Sequence, residues 1–197
     1  MKLLLIRHGE ATGNKRGILL GTINDSLSQD GFSQAEKIAL RLKEFNIDAI
    51  YSSDLRRAEE TAKIINKYHN LKINLDKDLR ERNFAVFQGM SIEDFLKAVE
   101  KSNTEFHIYK PLGGESCMEV QQRVISFLKR IAEKHYDKTI LVVSHGAAIM
   151  ELLFYITKLP RFEFEQLKQE KTALSIIEIN RDNTYHIEFI GNIDHLK

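Results

Sequence analysis

The hydrophobic positions along the chain form two kinds of pattern, continuous apolar runs and runs with three- or four-residue spacing. Continuous runs at 3–6 and 139–143 predict central parallel strands, and shorter ones predict strands near 49–52 and 72–75. Two more strand-like runs, at about 173–179 and 185–190, flank a hairpin turn at 180–183 and would extend one sheet edge antiparallel. Alternating strands and helices predict a three-layer α/β/α sandwich with a mostly parallel sheet and an antiparallel edge.

The helical patterns begin at recognisable capping residues. Ser28 precedes a first predicted amphipathic helix, and Asp54 with the serines before it precedes a second. Ser116 and Glu119 form a capping box before a third predicted helix. Residues 10–25 have little periodicity and predict a long loop over the end of the first strand. Residues 78–112 are the least regular stretch. They predict a cap insertion over the sheet edge, with one short helix starting at Ser91.

Composition limits the classes of function. The 197 residues suit a single domain spanning 1–197, with 43% hydrophobic and 29% charged residues. A formal net charge of +1 argues against a nucleic-acid or anionic-membrane partner. The single cysteine, Cys117, rules out an internal disulfide, and no apolar run has the length of a signal peptide or a membrane span. We therefore expect a cytoplasmic protein.

Two predicted strands end on the same unusual polar sequence. The first runs into Arg7-His8-Gly9, and the strand at 139–143 runs into Ser144-His145-Gly146. Ligands of open α/β sheets bind beyond the carboxyl ends of the strands, so Arg7, His8 and His145 would meet there, joined by Arg57 from the second helix. The planar donor fork of arginine suits phosphoryl oxygens, and the sequence therefore predicts an anion pocket.

These residues lie within motifs that resemble the histidine phosphatase superfamily, which includes cofactor-dependent phosphoglycerate mutases, fructose-2,6-bisphosphatases and broad phosphatases. In chain order the motifs are Arg7-His8-Gly9-Glu10 with Asn14; Leu27, Gly31, Gln34 and Ala35; Ser53-Asp54-Leu55-Arg56-Arg57-Ala58 with Thr61-Ala62; Leu79-Arg80-Glu81 with Gly89; Gly113-Gly114-Glu115-Ser116; and Ser144-His145-Gly146. The resemblance implies a phosphoglycerate mutase-like fold.

The resemblance also implies roles for the site residues. His8 would be the nucleophile that forms a phosphohistidine, since an imidazole with a reference pKa of roughly 6.5 is largely neutral at cytosolic pH. Arg7, Arg57 and a protonated His145 would neutralise the phosphoryl oxygens. Further donors would be Asn14 and the amides of Gly21 and Gly146.

Glu81 is the candidate general acid and base of the implied reaction. It would protonate the leaving alkoxide and then activate water, and a bound phosphate dianion would favour its protonated form. The cations of the site would replace a metal, so the resemblance implies no metal and no cofactor. The substrate would be a small-molecule phosphate ester, and the enzyme a phosphomonoesterase.

The insertion separates the phosphatase from the mutase interpretation. Mutases and bisphosphatases of this family tend to carry paired arginines there, which the stretch between Asn83 and Leu112 lacks. It instead offers aromatic residues, which favour a phosphatase with a partly apolar pocket. They are Phe84, Phe87, Phe95, Phe106 and Tyr109. Ala85 and Gln88 stand where the family often has glycine and glutamate.

Several alternatives stay open on the sequence alone. A phosphoglycerate mutase and a catalytically weak phospho-ligand-binding regulatory module would both use the same fold. Other carboxylates, from Glu10, Asp78 and Glu115, lie near motif residues, and Lys110 could contact substrate. Paired histidines can bind zinc, but two neighbouring arginines would repel the cation. The strand edge at 173–190 could form a homodimer.

Overall fold

A six-stranded sheet runs through the protein, a computed structural model of which describes residues 1–182 and 184–197. Its strands are β1 (Lys2–Arg7), β2 (Ala49–Ser52), β3 (Ile73–Leu75), β4 (Thr139–Ser144), β5 (Leu174–Ile179) and β6 (Tyr185–Asn192), in the order β3-β2-β4-β1-β5-β6. The first four strands are mutually parallel, whereas β5 and β6 are antiparallel to their neighbours. The predicted fold class is confirmed. Asn183, in the predicted hairpin turn, lies outside the described residues.

Six α-helices connect and cover these strands within the described residues. They are α1 (Thr12–Lys15), α2 (Gln29–Leu42), α3 (Arg56–Asn66), α4 (Ile92–Lys101), α5 (Cys117–Lys134) and α6 (Gly146–Thr157). Short 3-10 segments occur at Lys77–Leu79, Ala85–Phe87, Arg161–Leu167 and Asp194–Leu196. Helix α1 interrupts the loop predicted over 10–25. None of the described helices combines the length and the apolar character that crossing a membrane requires.

Three of the four predicted helix starts have the expected caps, among them Ser91, whose side chain accepts from the Asp94 amide at 3.2 Å. The Ser28 side chain accepts a hydrogen bond from the Gly31 amide, and Ser116 and Glu119 form a complete capping box. The prediction for α3 was wrong, because its N-cap is Leu55, and the Arg56 amide donates instead to Asn24 Oδ1 at 2.8 Å. Asp54 is unavailable for capping, since both of its carboxylate oxygens accept from the Arg80 guanidinium, at 2.7 and 2.6 Å.

The sheet separates two hydrophobic cores because successive side chains of a strand point to opposite faces. Leu3 and Leu5 pack with the buried faces of α5 and α6, whereas Leu4 and Ile6 pack with those of α2 and α3. All four leucine and isoleucine side chains are buried. Both faces of the parallel sheet are therefore covered, as the continuous apolar runs predict.

The aromatic residues of the insertion form a small core of their own. Phe84, Phe87, Phe106 and Tyr109 each pack edge-on against the buried ring of Phe95. The buried Arg82 guanidinium lies 5.1–5.3 Å from the ring centroids of Phe84, Phe95 and Phe106. These rings hold the cap together around Arg82, and the partly apolar pocket stays a prediction.

Candidate active site

The register of β1 against β4 brings the two predicted histidines together. Arg7 pairs with Ser144, so the residue that follows each strand, His8 and His145, leaves the sheet at the same edge. Their ring centroids are 4.9 Å apart, with the rings tilted by 59°. Both histidines are buried.

The contacts of His8 define its tautomer. Nδ1 lies 2.6 Å from the Gly9 carbonyl oxygen, which can only accept, so Nδ1 carries the hydrogen. Nε2 is then the basic nitrogen, and it accepts a hydrogen bond from Arg57 Nε at 3.1 Å. Burial, together with the charges of Arg57, the other imidazole and nearby cations, lowers the pKa of His8 well below its usual value. The ring is neutral and its Nε2 lone pair faces the cationic site.

Arg57 reaches the site from the first turn of α3. Besides His8, it donates from Nη1 to the Ile23 carbonyl at 2.8 Å and from Nη2 to the Gly21 carbonyl at 2.7 Å. Burial lowers its pKa to about 10, which still leaves the guanidinium charged at neutral pH. Gly21 thus contributes its carbonyl to Arg57, at a backbone φ of +51° that glycine adopts without strain.

Arg7 is the last residue of β1, and its side chain lies against the start of α6. Its Nη1 donates to the Gln169 carbonyl at 2.5 Å, and a Cβ atom on Gly146 would lie 3.3 Å from the Arg7 guanidinium carbon. Its Nε is buried and has no hydrogen-bond partner among the described residues. Arg7 therefore keeps a donor that the protein itself does not satisfy.

His145 is buried at the site without a hydrogen-bond partner from the described residues. Neither ring nitrogen has a hydrogen-bond partner among the described residues, although the side chain is buried. Burial and the charges of Arg57, Arg123 and Arg7 lower its pKa well below the usual value. The predicted protonated His145 concerns the phosphoryl complex and stays a prediction; in the free site, burial beside several cations favours the neutral ring.

Glu81 reaches the site although it lies in the irregular segment before the cap. Ser144 Oγ donates to the Leu79 carbonyl at 2.8 Å, which ties this segment to the end of β4. The Glu81 carboxylate accepts from the Ala147 amide at 3.1 and 3.3 Å, in the first turn of α6, and from its neighbour Arg82 at 2.9 Å. Its negative charge opposes the burial that lowers the pKa values of Arg7 and Arg57, so it lies close enough to act on both guanidinium groups.

The alternative carboxylates are engaged elsewhere. Glu10 accepts from the Ser28 hydroxyl at 2.7 Å, Glu115 pairs with Arg123 at 2.9 Å, and Asp78 pairs with Arg130 at 2.8 Å. Lys110, a candidate substrate contact, instead pairs with Glu119 at 2.5 Å.

Asn14 lies at the site and is oriented by two donors to its side-chain oxygen. Oδ1 accepts from the Ala11 amide at 3.1 Å and from Lys171 Nζ at 2.9 Å, so the amide hydrogens on Nδ2 point elsewhere. Sequence reasoning missed Lys171, which has no motif around it. It also missed Gln88 as a contact, whose Oε1 accepts from the Thr22 amide at 2.6 Å and links the cap to the loop before α2.

Sequence reasoning also missed Arg123, on the buried side of α5. It donates to the carbonyls of Asp78, Arg80 and Glu81 at 2.7, 2.7 and 3.1 Å, and it pairs with the Glu115 carboxylate. The only signal in the sequence is its position seven residues after Ser116, two helical turns along the same face of α5. Arg123 fixes the segment that carries Glu81.

Comparison with known proteins places this arrangement in a family. The histidine phosphatase superfamily (branch 1) matches residues 3–192 of the chain. The chain belongs to this superfamily. It is 33% identical to phosphoglycerate mutase-like protein 4 of Arabidopsis thaliana, over 100% of this chain and 87% of the relative. It is 31% identical to a metal-independent phosphoserine phosphatase of the same plant, over 99% and 83%.

The fold agrees with solved structures of the superfamily. The structure of YhfR from Bacillus stearothermophilus matches with a TM-score of 0.91 and 27% identity, covering 100% of this chain and 99% of that one. The phosphoglycerate mutase-like fold is thus confirmed, and relatives named as phosphatases support a phosphatase. Across the described ranges, no group of three or more His, Cys, Asp and Glu side chains is arranged to hold a metal ion.

Proposed function

We propose that this member of the histidine phosphatase superfamily is a metal-independent phosphomonoesterase that works through a phosphohistidine on His8. The observation that carries the proposal is a buried site with unsatisfied polar groups, Arg7 Nε and both ring nitrogens of His145, beside the basic Nε2 of His8. Buried polar groups are normally hydrogen-bonded, so these groups suit a ligand rich in acceptor oxygens. A phosphoryl group has that chemistry and the charge that two arginines favour.

In the first step, the Nε2 lone pair of His8 attacks phosphorus and the bond to the ester oxygen breaks. Glu81, protonated in the substrate complex, gives its proton to the leaving alkoxide. Arg57 Nε, which holds Nε2 in the free site, can turn its donor to a phosphoryl oxygen as the new N–P bond forms. Arg7 and Arg57 stabilise the charge that spreads over the oxygens.

In the second step, water hydrolyses the phosphohistidine. The Glu81 carboxylate takes a proton from the water as its oxygen attacks phosphorus, and the N–P bond breaks to release orthophosphate and neutral His8. His145 is neutral in the free site, and a bound phosphate dianion would favour its protonation and supply a further donor. Asn14 Nδ2 and the amide of Gly146 at the start of α6 would supply further donors.

We favour a phosphatase over a mutase because the arginines next to the cap are already engaged. Arg80 pairs bidentately with Asp54, and Arg82 donates to the carbonyls of Glu115 and Tyr109 beneath the aromatic rings. Neither is free to hold the second anionic group of a bisphosphorylated ligand. A mutase would instead require bisphosphoglycerate for turnover, and a binding module would bind phosphate analogues without turnover.

We propose a small phosphorylated metabolite in the cytoplasm as substrate, and no nucleic-acid or membrane partner. Relatives named as phosphoserine phosphatases make phosphoserine the first natural ester to test, followed by phosphoglycerates and sugar phosphates. The homodimer through the edge strand stays a prediction.

The test is hydrolysis of an aryl phosphate in excess chelator by the wild type, His8→Ala and Glu81→Gln. We expect metal-independent turnover that is abolished in His8→Ala and reduced roughly 100-fold or more in Glu81→Gln, the usual contribution of a general acid. His69→Ala is the matched control, because this histidine lies outside the site. Acid-labile phosphate trapped on the wild type but not on His8→Ala would identify the intermediate. Absence of turnover by the wild type on every ester would refute the proposal.

A further inference from the structure

Lys171 brings a third cationic side chain to the site, from a segment that no motif covers. It lies just before β5, and its Nζ donates to Asn14 Oδ1 at 2.9 Å. Arg7 binds the same segment through two hydrogen bonds. Its side chain donates to the Gln169 carbonyl, and its carbonyl accepts from the Thr172 amide at 3.1 Å. Lys171 is therefore held beside Arg7 by main-chain contacts.

The backbone is strained at the residue that follows. Thr172 has a φ of +55°, a conformation that β-branched residues rarely adopt. It is buried, and its hydroxyl lies 2.7 Å from the Lys171 carbonyl and 3.0 Å from His195 Nε2. Such strain persists where surrounding contacts over-determine it, often at ligand sites. Here the contacts of Thr172 fix the backbone conformation next to Lys171.

The surroundings of Lys171 are mostly positive. Burial and the charge of Arg7 lower its pKa to about 7, against the opposing effect of Glu81. The charged or titratable groups that act on it or respond to it are Arg7 and His8 at the end of β1, Glu10 after it, Arg57 on α3, Glu81 before the cap, and His145 before α6. In the free protein, no carboxylate pairs directly with Lys171 among the described residues. A lysine kept in this position gains a partner when an anion binds.

We propose that Lys171 is a third phosphate-binding cation of this site and that it favours dianionic monoesters. Its contact with Asn14 Oδ1 leaves Asn14 Nδ2 free to donate to the same ligand. The assignment rests on the proposed phosphatase function. A dianion attracts the ammonium about twice as strongly as the monoanion of a diester at equal distance, which is the basis of the selectivity. Because a lysine titrating near neutrality is partly uncharged in the free enzyme, substrate binding and proton uptake are coupled.

The first experiment compares kcat and KM for an aryl phosphate between pH 6 and 9 in the wild type, Lys171→Met and Lys171→Arg. We expect wild-type kcat/KM to fall above pH 7, with a slope that approaches tenfold per pH unit, because Lys171 of the free enzyme loses its proton. Lys171→Met should raise KM at pH 6.5 about tenfold or more and lose this alkaline decline. Lys171→Arg should retain activity to higher pH, because a guanidinium stays charged. A wild-type KM and an unchanged alkaline decline in Lys171→Met would overturn the proposal.

A control variant and a stability measurement separate binding from folding. Lys168→Met removes an exposed lysine of the same segment that pairs with Glu165 at 3.6 Å, and it should leave kcat and KM unchanged. Lys171→Met should keep or raise Tm, because it removes a charge from a partly buried position beside arginines. A lower Tm together with an unchanged KM would indicate a structural role and overturn the proposal.

Binding of inorganic phosphate, measured by calorimetry at pH 6.5, separates the two proposals. If the wild type binds phosphate at least tenfold more tightly than Lys171→Met but hydrolyses no ester, the phosphatase proposal fails and Lys171 remains a phosphate-binding residue. If the wild type hydrolyses the aryl phosphate and both proteins bind phosphate equally, the phosphatase proposal stands and the role of Lys171 is refuted.

Discussion

Replacing Arg123 by methionine tests whether the position of Glu81 is set from α5. Arg123 donates to three carbonyls in the segment 78–81 and to the Glu115 carboxylate, and its side chain is only 16% exposed. Methionine keeps the apolar stem but leaves these acceptors without their donor. We expect a cost of roughly 2–3 kcal/mol, because the pair is mostly buried yet water can reach the Glu115 side chain, which is 26% exposed.

The cost should be visible in both stability and rate. For a domain of this size each kcal/mol shifts Tm by roughly 2–4 °C, so Arg123→Met should lower Tm by about 4–12 °C. The segment that carries Glu81 would loosen, and since a displacement of about 1 Å can cost about 100-fold in rate, kcat should fall roughly 10- to 100-fold. KM should change little, because the phosphate-binding arginines are not touched.

The assay is kcat and KM well below the Tm of the variant, combined with urea unfolding. Arg130→Met is the matched control, seven residues further along α5, because its side chain is 51% exposed and pairs with Asp76 and Asp78 at the surface. Such exposed pairs contribute only about 0–1 kcal/mol. In a Glu81→Gln background Arg123→Met should have no further effect on kcat. An undiminished effect in that background would refute the idea that Arg123 acts through Glu81.

Two further predictions concern buried titratable groups. Burial raises the pKa of Cys117 to about 12, so a thiol reagent at pH 8 should leave the native protein unmodified and react fully after unfolding in urea; rapid modification of native protein would contradict the burial. His8 and His145 both have folded-state pKa values below their unfolded value of roughly 6.5, so the unfolded chain binds more protons below that pH. The free energy of unfolding should therefore fall as the pH drops below 6.5, by up to about 2.7 kcal/mol per pH unit, with a smaller slope in His145→Gln; a flat profile in urea unfolding between pH 7 and 5 would contradict two neutral rings.

The sequence alone determined the sheet and the edge at which the site lies. Apolar runs and helix caps depend on neighbouring residues, so β1, β2 and α5 were predictable to within a residue or two. The convergence of His8 and His145 also followed from sequence, because each ends a parallel strand of one sheet and the carboxyl ends of such strands share an edge. The family motifs then implied Glu81, which no periodicity would have indicated.

The tertiary structure alone decided how charge is distributed at that edge. Lys171 meets Asn14 across 157 residues of chain, and Arg123 reaches the Glu81 carbonyl across 42, distances at which no local pattern signals contact. Burial decided that His145 is neutral in the free site, and the packing of rings around Arg82 decided that the cap aromatics form a core. Periodicity in a sequence indicates which face of a helix or strand is buried. The protonation state and the ion-pair partners of a buried side chain depend instead on charged residues that are distant in sequence and close in the folded protein.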